Sequence, residues 1–391
     1  MSQIALALWQ RGDYGEAESR YAELIAVINA MDQPEVAAAI ATRINLAAVR
    51  ADALKLDEAE RDFRQILDES RRINGATHIN TVTAEARLGA LLHATSRREE
   101  GRALLADALA KTGEGTANDL PHMITLVRRS YGTSMLAEGR MEDAERALAQ
   151  DLALSRASYP GSVRLADALR AHGAVTIALG HFDQAERELD EGYTLRRGAL
   201  GKSAPPAALN AFRLEQARLA LARGDPERAA ASLDAVAKLS GTLPLAVEET
   251  GARILRAHIW LQRGRPAEAA AAARQALDDI VRSPLRGKFQ ALEADAALRL
   301  GQAQLRAGDA LAARPSLARA VELREATDDP DLSPWLAEAQ IALATCLLDL
   351  GQRPAARALL SQAAAIHGLH AQLGEQFREP LRRVQDLLAA R

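Results

Sequence analysis

The side chains best able to do chemistry are few and widely spaced along this 391-residue chain. Of its eight histidines, only His367 and His370 stand close enough in sequence to share a metal ion. No third ligand follows at a matching spacing, so we predict a solvent-facing pair and no metal site. The single cysteine, Cys346, lies in the apolar run Ile341-Ala-Leu-Ala-Thr-Cys-Leu-Leu, which is typical of a small buried core residue rather than a nucleophile.

The sequence carries no motif for phosphoryl transfer. A kinase glycine-rich loop, a catalytic-loop His-Arg-Asp and an Asp-Phe-Gly are all missing. Carboxylates are plentiful but cluster in short turns, for example Glu58 and Glu142, where they favour the N-terminus of the following helix through its dipole. We therefore predict that the chain is not an enzyme and needs no cofactor.

Composition favours helices and argues against two classes of partner. Aromatic residues make up only 3% of the chain, and the abundance of Ala, Leu, Arg and Glu suits helices better than strands. The net charge of −3 provides no basic field for nucleic acid or an anionic membrane. The opening residues do not resemble a leader peptide and the chain has one cysteine, so we expect a cytoplasmic protein.

A short turn motif recurs along the whole chain. Clear copies begin at Gly12 (Gly-Asp-Tyr-Gly-Glu-Ala-Glu), Gly139 (Gly-Arg-Met-Glu-Asp-Ala-Glu) and Gly180 (Gly-His-Phe-Asp-Gln-Ala-Glu). Taking the small residue at the sixth position as an anchor gives nine copies at intervals of 40 to 44 residues. The anchors are Ala17, Ala59, Gly101, Ala144, Ala185, Ala229, Ala269, Ala313 and Ala356. Such regularity indicates a repeated structural unit.

Three further positions repeat with the same step. The residue twelve before each anchor is always Gly or Ala, and the residue four after it is always apolar. The residue five before the anchor is Gly in seven of the nine copies, with Leu54 and Ser96 as the exceptions. Small residues let two helices approach closely, and Gly at the last position suits a left-handed residue that ends a helix. Each copy therefore predicts a helix A, a short turn and a helix B.

The repeat resembles the tetratricopeptide repeat, and in particular the long, kinesin-light-chain-like type of about 42 residues. The best copy runs from Asn45-Leu-Ala through Asp57-Glu-Ala-Glu to Gly75-Ala-Thr-His-Ile-Asn-Thr-Val, and the last segment is similar to the Gly-x-x-His-x-x-Thr linker of that type. That His and Thr are missing from the linkers after the fifth copy. Arrays of this type are found in bacterial regulatory proteins and in the C-terminal regions of bacterial serine/threonine kinases.

The resemblance spans about residues 1–370 and implies an all-α, right-handed α-solenoid of about nine tetratricopeptide-type helical hairpins. Another kind of helical array, such as HEAT or armadillo repeats, is the alternative, and the Gly turn with nine matching small-residue positions argues against it. We expect the stacked hairpins to form a curved, open wall.

We assign residues 1–372 to the repeat array and residues 373–391 to a C-terminal capping helix. Leu381, Val384, Leu387 and Leu388 stand at helical spacing in that segment and are predicted to cover the last hairpin. The first helix A is shorter than the later copies. We take this as a hint that the chain is a piece of a longer protein, with an upstream kinase domain as the leading hypothesis.

Arginines recur on the face of helix A that is predicted to line the concave surface, where tetratricopeptide arrays receive an extended peptide or a helix. The positions fifteen, eleven and seven residues before each anchor form one helical stripe beside the small residues. From this stripe and its flank we predict the groove residues Arg129, Arg170, Leu214, Arg218, Ile254, His258, Arg299 and Arg306. Asn45 is added because it resembles the family's groove asparagine, which bonds the backbone of a bound peptide.

An arginine-lined wall suggests a ligand with negative charge, because guanidinium groups bind carboxylates and phosphates bidentately. The ligand would be an acidic or phosphorylated peptide, or a C-terminal carboxylate. Arginine also decorates any exposed helix face, and that plainer interpretation stays open.

Our leading hypothesis is a non-enzymatic scaffold that binds a protein or peptide partner in the concave groove. One alternative is the sensing or substrate-recruiting segment of a larger bacterial serine/threonine kinase or transcriptional regulator. Another is a receptor for a small signalling molecule, which would need a closed pocket, and the scarcity of aromatic residues argues against it.

Overall fold

The computed structural model describes residues 2–31, 36–113, 116, 119–201, 206–236, 243 and 245–390. Within these ranges the chain forms 19 α-helices and one short 3₁₀-helix, Pro206–Leu209, and no strand. The all-α solenoid predicted from the sequence is therefore confirmed. Met1 and Arg391, the outer ends of the two predicted regions, lie outside the described residues.

The described helices pair into nine hairpins, which we number as units 1 to 9, and a final helix α19 (Glu375–Ala390) follows them. Helix A of successive units is α1 (Ser2–Arg11), α3 (Val36–Asp52), α5 (Ile79–Ala94), α7 (Pro121–Ala137), α9 (Val163–Ala178), α11 (Asn210–Ala222), α13 (Val247–Gln262), α15 (Gln290–Arg306) and α17 (Pro334–Asp349). Helix B is α2 (Tyr14–Asn29), α4 (Leu56–Asn74), α6 (Arg98–Ala110), α8 (Met141–Ser158), α10 (Phe182–Leu200), α12 (Pro226–Asp234), α14 (Pro266–Arg282), α16 (Ala310–Thr327) and α18 (Arg353–Leu369).

Helix A packs on helix B of the same unit through two columns of small residues, the nine anchors in helix B and nine partners in helix A. Every member of both columns is buried. The partners are Ala5, Ala47, Gly89, Gly132, Gly173, Ala217, Ala257, Gly301 and Ala344. The apolar residue one turn after each anchor is buried too, from Tyr21 in unit 1 to Leu360 in unit 9. Cys346 is likewise buried in the core, as predicted.

Every turn between helix A and helix B contains one residue with a left-handed backbone. Seven of these residues are glycines, and the other two are Leu54 (φ 59°) and Ser96 (φ 69°), the two exceptions in the sequence pattern. In unit 4, Arg140 N donates to Met135 O (2.9 Å), which is the long-range bond of a Schellman C-cap. The fold therefore imposes the turn geometry, and glycine is the residue that adopts it with least strain.

The linker between units 2 and 3 shows what the Gly-x-x-His-x-x-Thr residues do. Gly75 has φ +89° and ends α4, while His78 caps α5 by accepting a hydrogen bond from Asn80 N (3.2 Å). Thr81 Oγ1 donates to Gly75 O (2.8 Å) and lies 2.7 Å from Ser70 Oγ. The motif therefore stabilises the chain reversal between two hairpins.

The stacked units wind into a superhelix whose successive turns touch edge to edge. One edge of this ribbon carries the turns between helices A and B, and the other edge carries the linkers between units. At the turn of unit 3, Ser96 Oγ donates to Lys288 O (3.2 Å) in the linker before unit 8. At the end of α1, Gln10 O accepts from Arg196 Nη2 (3.3 Å) near the end of unit 5. We call this line of contacts between the two edges the seam.

The seam continues with the same step through units 4 and 5. Glu138 O, in the turn of unit 4, accepts from Asp329 N (2.9 Å) in the linker before unit 9. Ala178 O, at the end of α9 in unit 5, accepts from Gly374 N (3.2 Å) in the linker before α19. One superhelical turn therefore takes between four and five units.

Large apolar side chains reinforce the seam. Leu285 and Phe289, in the linker before unit 8, pack against the core of units 2 and 3. The Trp335 and Phe377 rings, with centroids 5.0 Å apart, pack in a cluster with Met141 of unit 4. The predicted open wall is therefore wrong, because large side chains in the later linkers and at the starts of α17 and α19 are buried on the preceding superhelical turn and close the ribbon into a tube.

Helix α19 packs on the last hairpin. Leu381 and Val384 are buried there and Leu388 packs beside them, whereas Leu387 is exposed. The first turn of α19 contributes Phe377 to the seam. The helix therefore covers the end of the array and also fastens it to the preceding superhelical turn.

His367 and His370 are both buried, so the predicted solvent-facing pair is wrong. His370 Nε2 lies 2.6 Å from Leu332 O, and its Nδ1 lies 3.2 Å from Glu142 Oε1 in helix B of unit 4. His370 is therefore part of the seam. Neither ring nitrogen of His367 has a hydrogen-bond partner among the described residues.

Gly224 and Gly198 form a matched pair for testing the strain of the turns. Both are exposed, and a Cβ atom added to either would meet nothing within 4 Å. Gly224 has φ +73° in the turn of unit 6, whereas Gly198 lies inside α10. We expect Gly224→Ala to lower the free energy of unfolding by about 1 kcal/mol and Gly198→Ala to raise it by up to about 1 kcal/mol, as measured by urea denaturation. Equal effects of the two substitutions would contradict this account.

Gly101 tests the close approach of the helices in unit 3. The other eight units have Ala at this position, so a comparison of the units alone would predict that Gly101→Ala stabilises the protein. In the structure, however, the added Cβ would lie 2.6 Å from both Gly89 O and His93 N. We expect the substitution to cost about 1–3 kcal/mol of unfolding free energy through overpacking, with Gly198→Ala as the control for helix propensity. A more stable Gly101→Ala protein would show that the two backbones can separate freely.

Burial lowers the pKa of His367 to about 4, and the nearby Arg378 and His370 act in the same direction. The unfolded chain takes up this proton at its ordinary pKa of 6.5. Stability is therefore lost as the pH falls from about 6.5 to about 4, and this loss stops below that range. We expect His367→Leu to remove up to roughly 3 kcal/mol of this acid-induced loss, measured by urea denaturation at neutral and acidic pH. An unchanged pH profile would refute the lowered pKa.

Candidate binding surface in the lumen

The tube encloses a lumen lined by the helices A, and Asp52 at the end of α3 shows what kind of space this is. The Asp52 side chain is exposed to solvent. Desolvation nevertheless raises the pKa of its carboxyl above the ordinary value, against the opposing effects of Trp9 and Arg87. The Asp52 carboxyl therefore contacts water while protein atoms surround it.

Arg87 in α5 is a lumen residue that the sequence analysis missed. Its guanidinium lies over the Trp9 ring, 5.6 Å from the ring centroid, and Trp9 Nε1 donates to Asp52 Oδ2 (2.6 Å). Arg87 Nε is buried without a hydrogen-bond partner among the described residues. Desolvation lowers the pKa of Arg87 against the opposing charge of Asp52, and the charges of Arg164 and Arg129 act in the same direction as desolvation.

The signal for Arg87 was present in the sequence. It stands fourteen residues before the anchor of unit 3, one position away from the stripe used for the prediction. Asn45 has the same offset in unit 2. A wider stripe would therefore have included Arg87, although its aromatic partner Trp9 comes from a different unit.

Two further guanidinium groups in α9 have no hydrogen bond or ion pair with a described residue. Arg164 is exposed at the start of the helix, with its guanidinium 5.5 Å from the centroid of the Tyr159 ring. Arg170 is half-buried, and its charge acts on Glu248 of α13. We call Arg87, Arg164 and Arg170 the lumen arginines.

Arg129 contributes to the fold as well as to the charge of the lumen. Its Nε donates to Asp151 Oδ2 (2.7 Å) and its Nη2 to Asp151 Oδ1 (3.2 Å). Nη2 also donates to Arg164 O (3.2 Å) in the next unit. Asp151 is fully buried, so loss of Arg129 would leave a buried carboxylate without its partner.

Three other predicted arginines differ in their pairing. Arg218 is exposed and pairs with Glu215 of the same helix (2.6 Å). Arg299 is mostly buried and pairs with Glu338 of unit 9 (2.7 Å). Arg306, at the end of α15, is exposed and has no ion pair with a described residue.

Leu214 and Ile254 lie in the core between neighbouring units. Leu214 is 7% exposed and packs in a cluster with residues of α11, α12 and α13, and Ile254 is 5% exposed and packs in a cluster with residues of α14 and α15. Little of either side chain reaches the lumen. Their groove role stays a prediction, and we leave them out of the proposed site.

Asn45 and His258 are polar residues with free bonding capacity. Asn45 is half-buried and has no hydrogen bond with a described residue. His258 is half-buried as well, and desolvation, followed by the charge of Arg299, lowers its pKa well below the ordinary value. His258 is therefore neutral at physiological pH and adds no positive charge to the lumen.

Acidic and phenolic groups face the lumen arginines. Glu248 accepts a hydrogen bond from Asn210 Nδ2 (3.0 Å), and desolvation raises the pKa of its carboxyl. The pKa of the Tyr14 hydroxyl is raised by desolvation and then by Asp52 and Glu248. Charges in units 2 and 7 therefore both act on Tyr14 of unit 1, and the lumen carries both signs of charge.

The described residues include no group of three or more side chains that could hold a metal ion. None of the described helices combines the length and the apolar character needed to cross a membrane. What the arrangement offers is a set of fixed guanidinium groups, which bind carboxylates and phosphates through paired hydrogen bonds.

Stacked hairpins with small residues at their contacts, closed around an inner surface, define a helical-repeat solenoid of the tetratricopeptide type. Among solved structures, the Rap protein complexed with competence and sporulation factor is similar, with a TM-score of 0.61 and 14% identity over 90% of this chain and 98% of that chain. A tetratricopeptide repeat protein from Parabacteroides merdae is similar with a TM-score of 0.43 and 15% identity, over 74% of this chain and 97% of that chain. NprR in complex with its cognate peptide NprX is similar with a TM-score of 0.46 and 13% identity, over 89% of this chain and 82% of that chain.

At these identities the likeness is one of fold. No protein-family model matches the sequence, and no curated protein matches it at a significant level.

Proposed function

We propose that this chain is a non-enzymatic binding protein that holds a negatively charged peptide or protein segment in its lumen. The observation that carries the proposal is that the guanidinium groups of the lumen arginines, Arg87, Arg164 and Arg170, make no hydrogen bond or close ion pair with a described carboxylate, although the charges of Asp52 and Glu248 act on Arg87 and Arg170. Arginines elsewhere are commonly paired, as Arg223 is with Glu186 (2.6 Å).

The position of these guanidinium groups strengthens the case. Desolvation acts on Arg87, and a charge that is partly removed from bulk water gains more from a bound counter-charge than a surface charge does. Arg87 and Arg164 are also held over aromatic rings, which restricts their motion before a ligand arrives. Acidic or phosphorylated segments are therefore the ligand class that the surface favours.

The histidine–carboxylate pairs support a binding role rather than catalysis. His172 Nδ1 lies 2.8 Å from Glu188 Oε2, and both residues are buried between the helices of unit 5. His93 Nε2 lies 3.0 Å from Glu138 Oε1, where both side chains are buried at the seam. Both pairs are shut off from the lumen and so are unsuited to act on a substrate.

The comparisons fit the same proposal. The Rap structure was solved with competence and sporulation factor, and the present chain shares its fold. We also propose that the repeats are of the kinesin-light-chain-like type, for which the 40–44-residue step and the capped linker at Gly75, His78 and Thr81 are the support. In this proposal residues 1–372 form the array and residues 373–391 form its cap. We propose the cytoplasm as the location of the protein.

Arg170→Ala tests the proposal, with Arg187→Ala as the matched control. Arg187 belongs to the same unit, is exposed on helix B and has no ion pair with a described residue. The probes are two fluorescent decapeptide pools, one with Glu and one with Lys at alternate positions and the rest randomised. We expect fluorescence polarisation to show binding of the Glu pool only, weakened about tenfold or more by Arg170→Ala because a charge-assisted hydrogen bond is lost.

The Arg187→Ala protein should bind the Glu pool as the unchanged chain does. Equal binding of the Lys pool, or equal losses from both substitutions, would reject the lumen as the binding surface. Circular dichroism of both variants checks that the helices are intact.

A further inference from the structure

His370 stands where the seam joins unit 4 to the linker between α18 and α19. The two edges meet closely in this part of the seam. A Cβ atom added to Gly139, in the turn of unit 4, would overlap Ser333, and one added to Gly180, in the turn of unit 5, would lie 3.0 Å from the Cα atom of Gly374. The His370 side chain is only 1% exposed. Its polar atoms must therefore find their partners within the protein.

Both ring nitrogens of His370 face oxygen atoms that accept hydrogen bonds. Nε2 lies 2.6 Å from Leu332 O, and Nδ1 lies 3.2 Å from Glu142 Oε1. A neutral imidazole has one N–H and one lone pair, so it can satisfy only one of these acceptors, and its other nitrogen would turn a lone pair toward an oxygen. The doubly protonated ring donates to both. Placing the extra proton on the Glu142 carboxyl instead leaves the number of protons in the contact the same.

Charged groups from three helices surround this contact. Glu142, in the first turn of α8, is the carboxylate that favours the extra proton. Arg378 of α19 opposes it, because Arg378 Nη2 donates to the backbone oxygen of His370 (2.7 Å). His367 of α18 has a pKa lowered by burial to about 4 and is therefore neutral near pH 7. Glu142 and Arg378 thus set the balance of charge at the ring.

The other carboxylates near Leu332 are engaged elsewhere or open to solvent. Asp329 pairs with Arg140 of unit 4 (3.0 Å), and Asp331 is exposed. Asp328 is buried and accepts hydrogen bonds from two neighbouring hydroxyl groups. Of the described carboxylates, the one on α8 is therefore the one in contact with the ring.

We infer that His370 is a proton-dependent clasp, which holds the seam between unit 4 and the linker before α19 shut when both ring nitrogens are protonated and loosens it when one proton is lost. An exposed histidine releases its proton as the pH rises through about 6.5. The closed contact retains that proton, so closure is favoured at low pH and weakened as the pH rises. Closure of the tube therefore responds to pH near neutrality. The inference concerns the wall of the tube and does not rest on the proposed ligand.

Hydrogen exchange of the Gly374 amide tests the clasp, because Gly374 N donates across the seam to Ala178 O (3.2 Å). The control in the same protein is the Asp225 amide, which donates to Ala220 O (2.8 Å) in the turn of unit 6. Protection factors are corrected for the intrinsic exchange rate at each pH. We expect that of Gly374 to fall about tenfold or more from pH 6 to pH 8.5, as one charge-assisted hydrogen bond is lost, while that of Asp225 stays constant.

Glu142→Gln separates the clasp from other effects of pH. The new amide can donate to Nδ1 of a neutral ring whose Nε2–H binds Leu332 O, so the contact is satisfied without an extra proton. We expect Gly374 to stay protected over the whole pH range in this variant. Glu145→Gln is the matched control, because Glu145 lies in the same helix and has no ion pair with a described residue. The control should keep the pH dependence of the unchanged chain.

Two results would overturn the clasp. One is a protection factor of Gly374 that stays constant with pH in the unchanged chain. The other is the same fall with pH in the Glu142→Gln and Glu145→Gln proteins, which would place the responsible group elsewhere.

Discussion

The structure depends on one steric constraint, which is that helix A and helix B of each hairpin must approach to near backbone contact. Ala or Gly at both contact positions permits that approach, and all nine copies obey the rule. Close packing fixes the angle within a hairpin, and its repetition fixes the small rotation from one hairpin to the next. The superhelix, the seam and the lumen all follow from the accumulation of that rotation.

Sequence periodicity was sufficient to predict the hairpins and their turns. Leu54 and Ser96 illustrate its strength, because both take the left-handed conformation although neither is glycine. Sequence periodicity could not predict the seam. Ser96 and Lys288 lie 192 residues apart and meet only because of the pitch of the whole superhelix, whereas a repeat pattern describes neighbours alone. The burial of His370 was missed for the same reason, since its partner Glu142 belongs to an earlier superhelical turn.

For the candidate site, residue spacing predicts positions along the helices but not which side chains pair. An offset rule predicted Arg129 and Arg170 for the inner stripe, yet it could not tell that Arg129 is held by the buried carboxylate of Asp151 on helix B. Nor could it separate an inner side chain from one at the contact between units, as Leu214 shows. Whether an arginine is available to a ligand depends on the carboxylates that the fold brings beside it, and those come from other helices.

The seam also changes how cooperatively the repeats unfold. In an open solenoid each repeat touches only its neighbours, so the array can fray from its ends one repeat at a time. Here unit 1 is tied to unit 5, and units 3, 4 and 5 are tied to the chain that follows units 7, 8 and 9. Losing a terminal hairpin therefore also uncovers surface in the middle of the array. Such cross-links couple distant repeats into one cooperative unit that resists progressive unravelling, at the cost of a slower search for long-range contacts during folding.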